Sequence, residues 1–518
     1  MHNLPILDLA VILLYLAAMV LAGFWFSRKN KSSEQFTKAS GSIPGWAVGI
    51  SLYATFLSSN TFLGVPGKAF GANWNAFVFS LSMPLAAWVA VKYFVPFYRT
   101  SGSVSAYTHL EHRFGPWART YAMTCFLLTQ IARMGSIFFG IALSLQALTG
   151  IDMTTIMLVM GVCIVIYTVL GGMEAVIWTE VVQGILLTLG GLLVLYLLFI
   201  RVDGGTGQII DIGLRDGKFS LGSLGFDFVG SSFWVIFLYG FFINLNNFGM
   251  DQNYVQRYHT ATSAHEAARS VWLCVKLYLP ISLLFFIIGS SLYAYYAQHP
   301  ELTETIRLQA AAERLPAGAS ASEVAAAATA LAPEDYGDKV MPHFMVAALP
   351  TGLLGLVISA ILAAAMSTIS SGMNASATVF TEDIYRRYIR PESDNRQTLR
   401  ILFISTAVFG ILGIIAGISM IGVQSILDVW WQLSGIFAGG MLGLFLLGLI
   451  SRKAGNSEAK VAVIAGVLAI LWMTLSYLIP EEYGLLRYPL HANMIIVFGT
   501  LVISLVGSLL ANIRNRQA

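Results

Sequence analysis

The nine residues ATFLSSNTF, at positions 54–62, lie in the middle of an apolar segment that runs from about residue 43 to residue 70. Two serines, an asparagine and a threonine are unusual at the centre of so apolar a helix, and Gly64, Pro66 and Gly67 follow. This pattern predicts a helix that breaks halfway along its length. Backbone groups freed by a break cannot face hydrocarbon, so they must face protein, water or a bound ion. A packing seam of small residues between helices is the simpler alternative.

The composition indicates that the segment belongs to a membrane protein. Hydrophobic residues make up 57% of the 518 residues, charged residues only 11%, and the mean hydropathy is +0.72. Soluble domains contain about 25% charged residues. We therefore expect an all-α protein with a single integral membrane domain over residues 1–518. The first apolar run has no charged region before it and no small-residue cleavage site, so we interpret it as a retained helix.

Thirteen apolar segments are long enough, or nearly so, to cross roughly 30 Å of hydrocarbon. They lie near residues 5–27, 43–70, 74–97, 119–147, 154–171, 174–200, 228–250, 271–297, 352–384, 398–421, 425–451, 458–480 and 488–511. Of the 30 Lys and Arg residues, 19 fall on one side of this arrangement, 7 on the other and 4 in the spans. The positive-inside rule then predicts an N-terminus outside and a C-terminus in the cytoplasm.

The sequence lacks the motifs that several classes of function require. The chain contains no phosphate-binding loop of the GxxxxGK type, no metal-binding cluster and no serine-nucleophile elbow. We therefore expect neither an ATPase nor another enzyme, and no nucleic-acid partner.

Two ionisable residues lie deep in predicted spans, where a charge costs at least about 2.5–3.5 kcal/mol. Arg133 has a planar donor fork that matches a carboxylate, so it is a candidate anchor for an anionic solute. A structural pair with Glu180 or Asp428 is the alternative. Glu180 is interpreted as an ion ligand, as a partner for a buried cation, or as a proton carrier.

A stripe of hydroxyls stands out in AAAMSTISSGMN, residues 363–374. Ser367, Ser370, Ser371 and Asn374 recur at helical spacing and share one face, with Thr368 beside them. Hydroxyl and carbonyl oxygens suit a hard cation such as sodium. The stripe and the predicted break at residues 54–62 would together form an ion site if the two elements meet.

With these motifs the chain resembles the sodium/solute symporter family, which includes sodium–glucose cotransporters and bacterial sodium-coupled sialic acid transporters. The resemblance rests on ATFLSSNTF, LGGMEAVIWTEVVQG (170–184), DQNYVQRY (251–258) and AAAMSTISS (363–371) with TEDIYRR downstream. It implies a five-plus-five inverted repeat of the LeuT type at about 43–451, preceded by the helix at 5–27 and followed by two peripheral helices within 458–511.

The resemblance also implies site residues. For the principal sodium site these are Ala54, Leu57, Ser367, Ser370 and Ser371. Glu180 and Thr368 would hold a second sodium ion. Substrate-binding residues carried over or suggested by position are Phe56, Ser58, Thr61, Ala76, Ser80, Arg133, Asn244, Asn247, Trp431 and Gln432.

The function implied is sodium-coupled import of a small organic solute across a bacterial cytoplasmic membrane by alternating access. A carboxylated sugar such as sialic acid is the first expectation because of Arg133. The alternatives are a neutral sugar or a small monocarboxylate, proton coupling, and a passive facilitator or channel with the same core. A sensor is disfavoured because a large cytoplasmic domain is missing from this sequence.

Overall fold

The computed structural model describes residues 4–28, 31–316, 319–421 and 426–517. Regular structure within these ranges is helical, with one isolated β-bridge between Ile43 and Ala261. An all-α membrane fold was expected, and the described chain agrees with it.

The first α-helices of the described chain carry the break and the elements around it. They are α1 (Ile6–Ser27), α2 (Ser33–Lys38), α3 (Gly45–Phe56), α4 (Ser59–Gly71), α5 (Val78–Leu81), α6 (Met83–Val89), α7 (Val95–Ser101), α8 (Thr108–Phe114), α9 (Pro116–Thr149), α10 (Met153–Arg201) and α11 (Gly205–Arg215).

The second half of the described chain continues the bundle. Its α-helices are α12 (Phe233–Met250), α13 (Gln252–Thr260), α14 (Ala264–Gln298), α15 (Pro300–Arg314), α16 (Ala321–Thr329), α17 (Pro333–Ala348), α18 (Leu353–Phe380), α19 (Asn395–Ser419), α20 (Ile426–Ile450), α21 (Asn456–Leu475) and α22 (Met494–Gln517). Short 3₁₀ or π turns occupy Ala39–Gly41, Trp74–Phe77, Ala90–Phe94, Thr381–Ile389, Ser476–Leu478 and Glu481–Leu486.

The predicted break in the second apolar segment is present. Helices α3 and α4 are bent by 54° relative to each other, and Leu57 and Ser58 between them have extended backbone conformations. The amide of Ser58 donates to the Thr61 hydroxyl at 3.3 Å, which caps the start of α4. The polar residues of the sequence motif therefore serve the ends of two half-helices.

The number of spans differs from the predicted thirteen. Ten described helices are long and apolar enough to cross a membrane, or eleven if the bent pair counts as one span. One reason is α10, a single 49-residue element that covers two predicted spans. A straight helix of that length would reach about 73 Å, more than twice the hydrocarbon thickness. Gly172 within it has a non-helical backbone (φ 58°, ψ −163°), which bends α10 between the two predicted spans. Another reason is α20, whose fully described part, Ser434–Ile450, is an apolar helix too short to be counted as a span.

Burial separates the core of the bundle from its periphery. In the segment Leu353–Ile389, which contains α18, 89% of the residues in its apolar 18-residue stretch are buried, whereas 22% are buried in the corresponding stretch of α1. A helix that is apolar all round and buried on every side belongs in the centre of a bundle. Helix α18 packs against α10, α9, α19 and α3, and so carries its hydroxyl stripe into the middle of the molecule.

Candidate functional site

The break between α3 and α4 lies directly against the hydroxyl stripe of α18. The Ser367 hydroxyl donates to the carbonyl of Ala54 at 3.2 Å, and the Thr368 hydroxyl donates to the carbonyl of Leu57 at 3.1 Å. The Ser370 hydroxyl donates to the Ser367 carbonyl at 3.1 Å. All five residues are buried. The carbonyls freed by the break thus meet neutral oxygens, which is the donor set that a hard cation prefers.

The oxygens at the break are neutral hydroxyls and carbonyls. In the part of the chain that the structure describes, no three His, Cys, Asp or Glu side chains are grouped closely enough to hold a metal ion. Neutral oxygens suit an alkali ion better than a transition metal.

Ser371, on the same stripe, has a different partner. Its hydroxyl donates to Glu180 on α10, as does the hydroxyl of Ser51 on α3. Arg257 on α13 donates from Nη2 to both carboxylate oxygens of Glu180, at 2.8 and 2.7 Å, and from Nε to the Ser51 hydroxyl at 2.8 Å. The side chains of this ion pair are 0% and 1% exposed. Of the interpretations given to Glu180 from the sequence, this geometry favours the partner of a buried cation.

Arg257 itself was missed as a site residue. It lies within the DQNYVQRY motif, between the predicted spans at 228–250 and 271–297. All nine residues of α13 are buried, so this short polar helix is packed inside the protein. The signal in the sequence was a polar nine-residue stretch directly after an apolar span. It did not indicate a buried helix, because a polar stretch at such a position is far more often exposed.

A central cavity of about 90 Å³ adjoins the break, and the residues predicted to bind the solute surround it. Seven of the ten are among its lining residues, namely Phe56, Ser58, Thr61, Ala76, Ser80, Arg133 and Asn247. They come from α3, α4, α5, α9, α12 and the turn before α5. The broken helix therefore contributes both the carbonyls that face the hydroxyl stripe and a part of the cavity wall.

Among the predicted solute-binding residues whose side chains the structure describes, Asn244 alone is absent from that lining. Asn244 is buried and donates from Nδ2 to the Ser82 hydroxyl at 3.3 Å and to the Phe79 carbonyl at 3.5 Å. It therefore joins α12 to the segment between α5 and α6. The side chains of Trp431 and Gln432 lie outside the described part of the structure, as does that of Asp428.

Arg133 connects the cavity to the ion site. Its Nη2 donates to the carbonyl of Thr55 at 2.8 Å, and Thr55 immediately follows Ala54. Its Nη1 lies 3.9 Å from Oδ2 of Asp251. Asp251 also accepts hydrogen bonds from the amide and the side chain of Asn253, at 2.8 and 2.7 Å. Asp251, which was not considered from the sequence, is thus a carboxylate next to Arg133. The side chain of the alternative partner Asp428 lies outside the described part of the structure.

Aromatic rings form the apolar wall of the cavity. The Phe56 ring lies 4.6 Å from Tyr254, 5.4 Å from Phe248 and 5.5 Å from Tyr278, measured between ring centroids. Tyr254 and Tyr278 also line the cavity, and the sequence analysis did not select either. Tyr278, in the middle of α14, gave no signal because aromatic residues are common in apolar helices, and Tyr254 belongs to the polar DQNYVQRY stretch that was expected to be exposed.

Comparisons with known proteins show similarity to sodium-coupled transporters. The model of the sodium:solute symporter family matches residues 36–466. The chain is similar to the sodium/sialic acid symporter NanT of Aliivibrio fischeri, with 32% identity over 96% of this chain and 91% of the relative. It is also similar to the sodium/sialic acid symporter SiaT of Proteus mirabilis, with 34% identity over 91% of this chain and 90% of the relative.

A solved structure extends the similarity to the fold. The structure of a sodium-coupled sialic acid symporter, in a substrate-bound outward-open state and with a novel sodium site, matches with a TM-score of 0.85 and 31% identity. The match covers 98% of this chain and 98% of the solved chain. The overall fold is therefore shared with a transporter.

Proposed function

The chain belongs to the sodium:solute symporter family, and we propose that it couples sodium entry to the import of sialic acid or a closely related carboxylated sugar. It is a multi-pass membrane transporter, not an enzyme, and its cargo is sodium and an organic solute. The observation that carries the choice of solute is Arg133, a guanidinium in the wall of a central cavity whose other lining includes hydroxyl and amide groups. Such a lining suits a solute with one carboxylate and several hydroxyls.

We assign the principal sodium site to the carbonyls of Ala54 and Leu57 with the hydroxyl face of α18. Sodium would replace the hydrogen bonds that Ser367 and Thr368 now donate to those carbonyls. The hydrogen bond from Thr368 to the carbonyl of Leu57 supports placing Thr368 in the principal sodium site and not in a second sodium site. Ser370 and Ser371 would complete the set, and Ser371 would have to turn away from Glu180 to do so.

Arg133 gives a physical route for coupling. Its Nη1 is 3.9 Å from the Asp251 carboxylate, beyond the distance of a direct hydrogen bond, so a solute carboxylate competes with Asp251 for the guanidinium. Its Nη2 holds the Thr55 carbonyl, next to the proposed sodium ligand Ala54. Solute binding and sodium binding therefore act on the same half-helix end, and by linkage each raises the affinity of the other.

The finer architecture is part of the proposal. The excess of Lys and Arg on one side supports an N-terminus outside and a C-terminus in the cytoplasm of a bacterial inner membrane. Thirteen crossings follow if α10 crosses twice around Gly172 and α20 crosses once. The broken α3–α4 unit supports an inverted-repeat core with its sites near the membrane midplane. Each sodium ion that enters down a potential of 100 mV contributes about 2.3 kcal/mol to uptake.

Uptake into proteoliposomes tests the proposal. An inward sodium gradient should drive accumulation of labelled sialic acid by the wild type. Arg133→Ala should abolish uptake because the carboxylate loses its partner, and Ser371→Ala should weaken the sodium dependence. Arg307→Ala, which removes a partly exposed arginine paired at 3.6 Å with Glu304, is the matched control and should transport normally.

Each alternative predicts a different result. Sodium-driven uptake of a neutral sugar, with no uptake of sialic acid, would return Arg133 to a structural role. Uptake driven by a pH gradient without sodium would indicate proton coupling. Equilibration without accumulation would indicate a passive facilitator.

A further inference from the structure

Two lysines within the predicted membrane spans face away from the protein. Four Lys and Arg residues fall inside those spans, namely Lys68, Lys92, Arg133 and Lys276. Lys68 and Arg133 are partly covered by the bundle, whereas Lys92 and Lys276 are exposed. A charged side chain in a membrane span is costly and almost always faces the interior of the bundle. The outward position of these two lysines is therefore unusual.

Ion pairs with the protein do not account for either lysine. Within the described chain, neither Lys92 nor Lys276 pairs with an Asp or Glu side chain. The ammonium of Lys92 lies 4.9 Å from the centre of the Trp88 ring and 5.3 Å from the centre of the Tyr93 ring. Both rings are about half exposed. Trp and Tyr are enriched at the level of the lipid head groups, so this group of side chains is typical of a membrane interface.

The position of each lysine along its span places it in the cytoplasmic half of the membrane. In the orientation proposed from the charges, the span at 74–97 ends in the cytoplasm and the span at 271–297 begins there. Lys92 lies five residues before the end of the first span, and Lys276 lies five residues after the start of the second. Five residues of helix correspond to about 8 Å. A flexible lysine stem can therefore bring the ammonium to the head groups.

The two lysines belong to neighbouring elements. Lys92 lies in the turn Ala90–Phe94 between α6 and α7, and Lys276 lies on α14, which packs against both helices. The hydroxyls of Ser80 on α5 and Ser282 on α14 lie 2.7 Å apart, and so join the same two spans nearer the centre of the membrane. The bundle thus presents two cations to the surrounding lipid from one side, and a single anionic head group complements this charge.

The surroundings of the lysines favour a phospholipid over a soluble anion. The outward residues on the same elements are apolar, and Leu85, Pro96 and Pro280 are exposed. A soluble phosphate would have to leave water to reach this surface, which is costly. A phospholipid carries its phosphate at the level of the interface, with its acyl chains already against the apolar residues. Anionic lipids of the cytoplasmic leaflet also attract basic residues close to the membrane surface.

We propose that Lys92 and Lys276, together with Trp88 and Tyr93, bind the phosphate of an anionic phospholipid in the cytoplasmic leaflet. The inference goes beyond the proposed function because it adds a lipid ligand, and it takes from that proposal only the orientation of the chain. Tyr278, two residues from Lys276 on α14, lines the central cavity. The lipid and the solute would therefore contact the same helix from opposite sides.

Thermal unfolding of the purified, delipidated full-length protein in a neutral detergent tests the inference. Dioleoylphosphatidylglycerol should raise the unfolding temperature saturably. Dioleoylphosphatidylcholine, which has the same chains but no net charge, should raise it less, and the soluble head group glycerol 1-phosphate should leave it unchanged. The phosphatidylglycerol concentration that gives half of the rise should increase about fivefold in Lys92→Gln and in Lys276→Gln, as expected for the loss of one lysine near an anionic surface.

The control variants separate charge from packing. Lys92→Arg and Lys276→Arg keep the charge and should respond to phosphatidylglycerol as the wild type does. Lys460→Gln, which removes an exposed lysine from α21, should also respond normally. Unfolding temperatures equal to that of the wild type in the absence of lipid demonstrate that the variants are folded.

Three results would overturn the lipid site. They are equal effects of the two phospholipids on the wild type, an unchanged response to phosphatidylglycerol in both glutamine variants, and a rise with glycerol 1-phosphate as large as that with phosphatidylglycerol. None of these measurements uses sodium or the solute, so the failure of this inference would leave the proposed function intact.

Discussion

The buried pair of Glu180 and Arg257 provides the sharpest test of the energetics. Replacing Arg257 by Gln leaves the Glu180 carboxylate in the core without its cation and removes the donor to the Ser51 hydroxyl. Breaking a fully buried ion pair in this way costs about 3–5 kcal/mol. That cost lowers the ratio of folded to unfolded protein by about a hundredfold to several thousandfold. We expect Arg257→Gln to express poorly and to unfold at a clearly lower temperature in detergent.

The double variant with Glu180→Gln and Arg257→Gln separates the pair from its surroundings. Two neutral amides can bond to each other and to the Ser51 and Ser371 hydroxyls, so the double variant should regain most of the stability lost by either single variant. A double-mutant cycle on unfolding temperatures measures this coupling.

The matched control is Arg386→Gln, whose partner Glu382 lies at 3.0 Å with the arginine side chain 43% exposed. Exposed pairs of this spacing contribute about 0.3–0.5 kcal/mol, so the control should change little. If the losses from Glu180→Gln and Arg257→Gln simply add, or if Arg257→Gln matches the control, the pair is not coupled and the reasoning about its burial is wrong.

Three further perturbations follow from the structure. Asp8 on α1 accepts hydrogen bonds from the amides of Gly352 and Gly355 at 2.7 and 2.6 Å, and so caps the start of α18. Asp8→Ala should lower the free energy of unfolding by about 0.5–2 kcal/mol, and Asp8→Asn should lower it less. Unchanged unfolding temperatures in both variants would contradict this. Burial, with Lys38 and Arg99 nearby, lowers the pKa of His259 to about 4. As the pH falls below about 6.5, the unfolded chain binds a proton at this residue while the folded chain does not, so the free energy of unfolding should decrease by about 2 kcal/mol between pH 7 and pH 5. His259→Gln should reduce this dependence on pH in unfolding temperatures measured over the same range. Lys218 donates hydrogen bonds to the carbonyls of Phe70 and Ala72 at 2.7 and 3.0 Å and so holds the end of α4. Lys218→Met should therefore speed amide hydrogen exchange there. Equal exchange in the wild type and the variant would refute this stabilising role.

Much of the fold could be predicted from local patterns. The stretch at residues 54–62 indicated a broken helix, and α3 and α4 are bent by 54° there. The hydroxyls of residues 367–374 indicated one polar face of a helix, and this face of α18 contacts the break between α3 and α4. Both features depend on a few neighbouring residues and on the hydropathy around them, which is why the sequence was sufficient to find them.

The candidate site was predictable where a motif supplied it and not where packing did. Arg133 was found because a charge inside an apolar helix is conspicuous, and it lines the central cavity. Its neighbour Asp251 was not paired with it, because the carboxylate that lies beside Arg133 is decided by how the helices pack. Asn244 was assigned to the cavity from its neighbours on α12, yet its side chain faces Ser82. A single step around a helix turns a side chain by about 100°, which hydropathy does not resolve.

Hydropathy and the polar interruption by themselves determined a helical membrane protein with a broken helix, and the resemblance of its motifs to a known family indicated a transporter. These properties are local, because each membrane helix must satisfy its own backbone hydrogen bonds and be apolar enough to insert. Only the tertiary structure decided that Glu180 meets Arg257 and that Arg133 reaches both Thr55 and Asp251. These contacts join residues far apart in the chain, and they exist because several helices pack together at once.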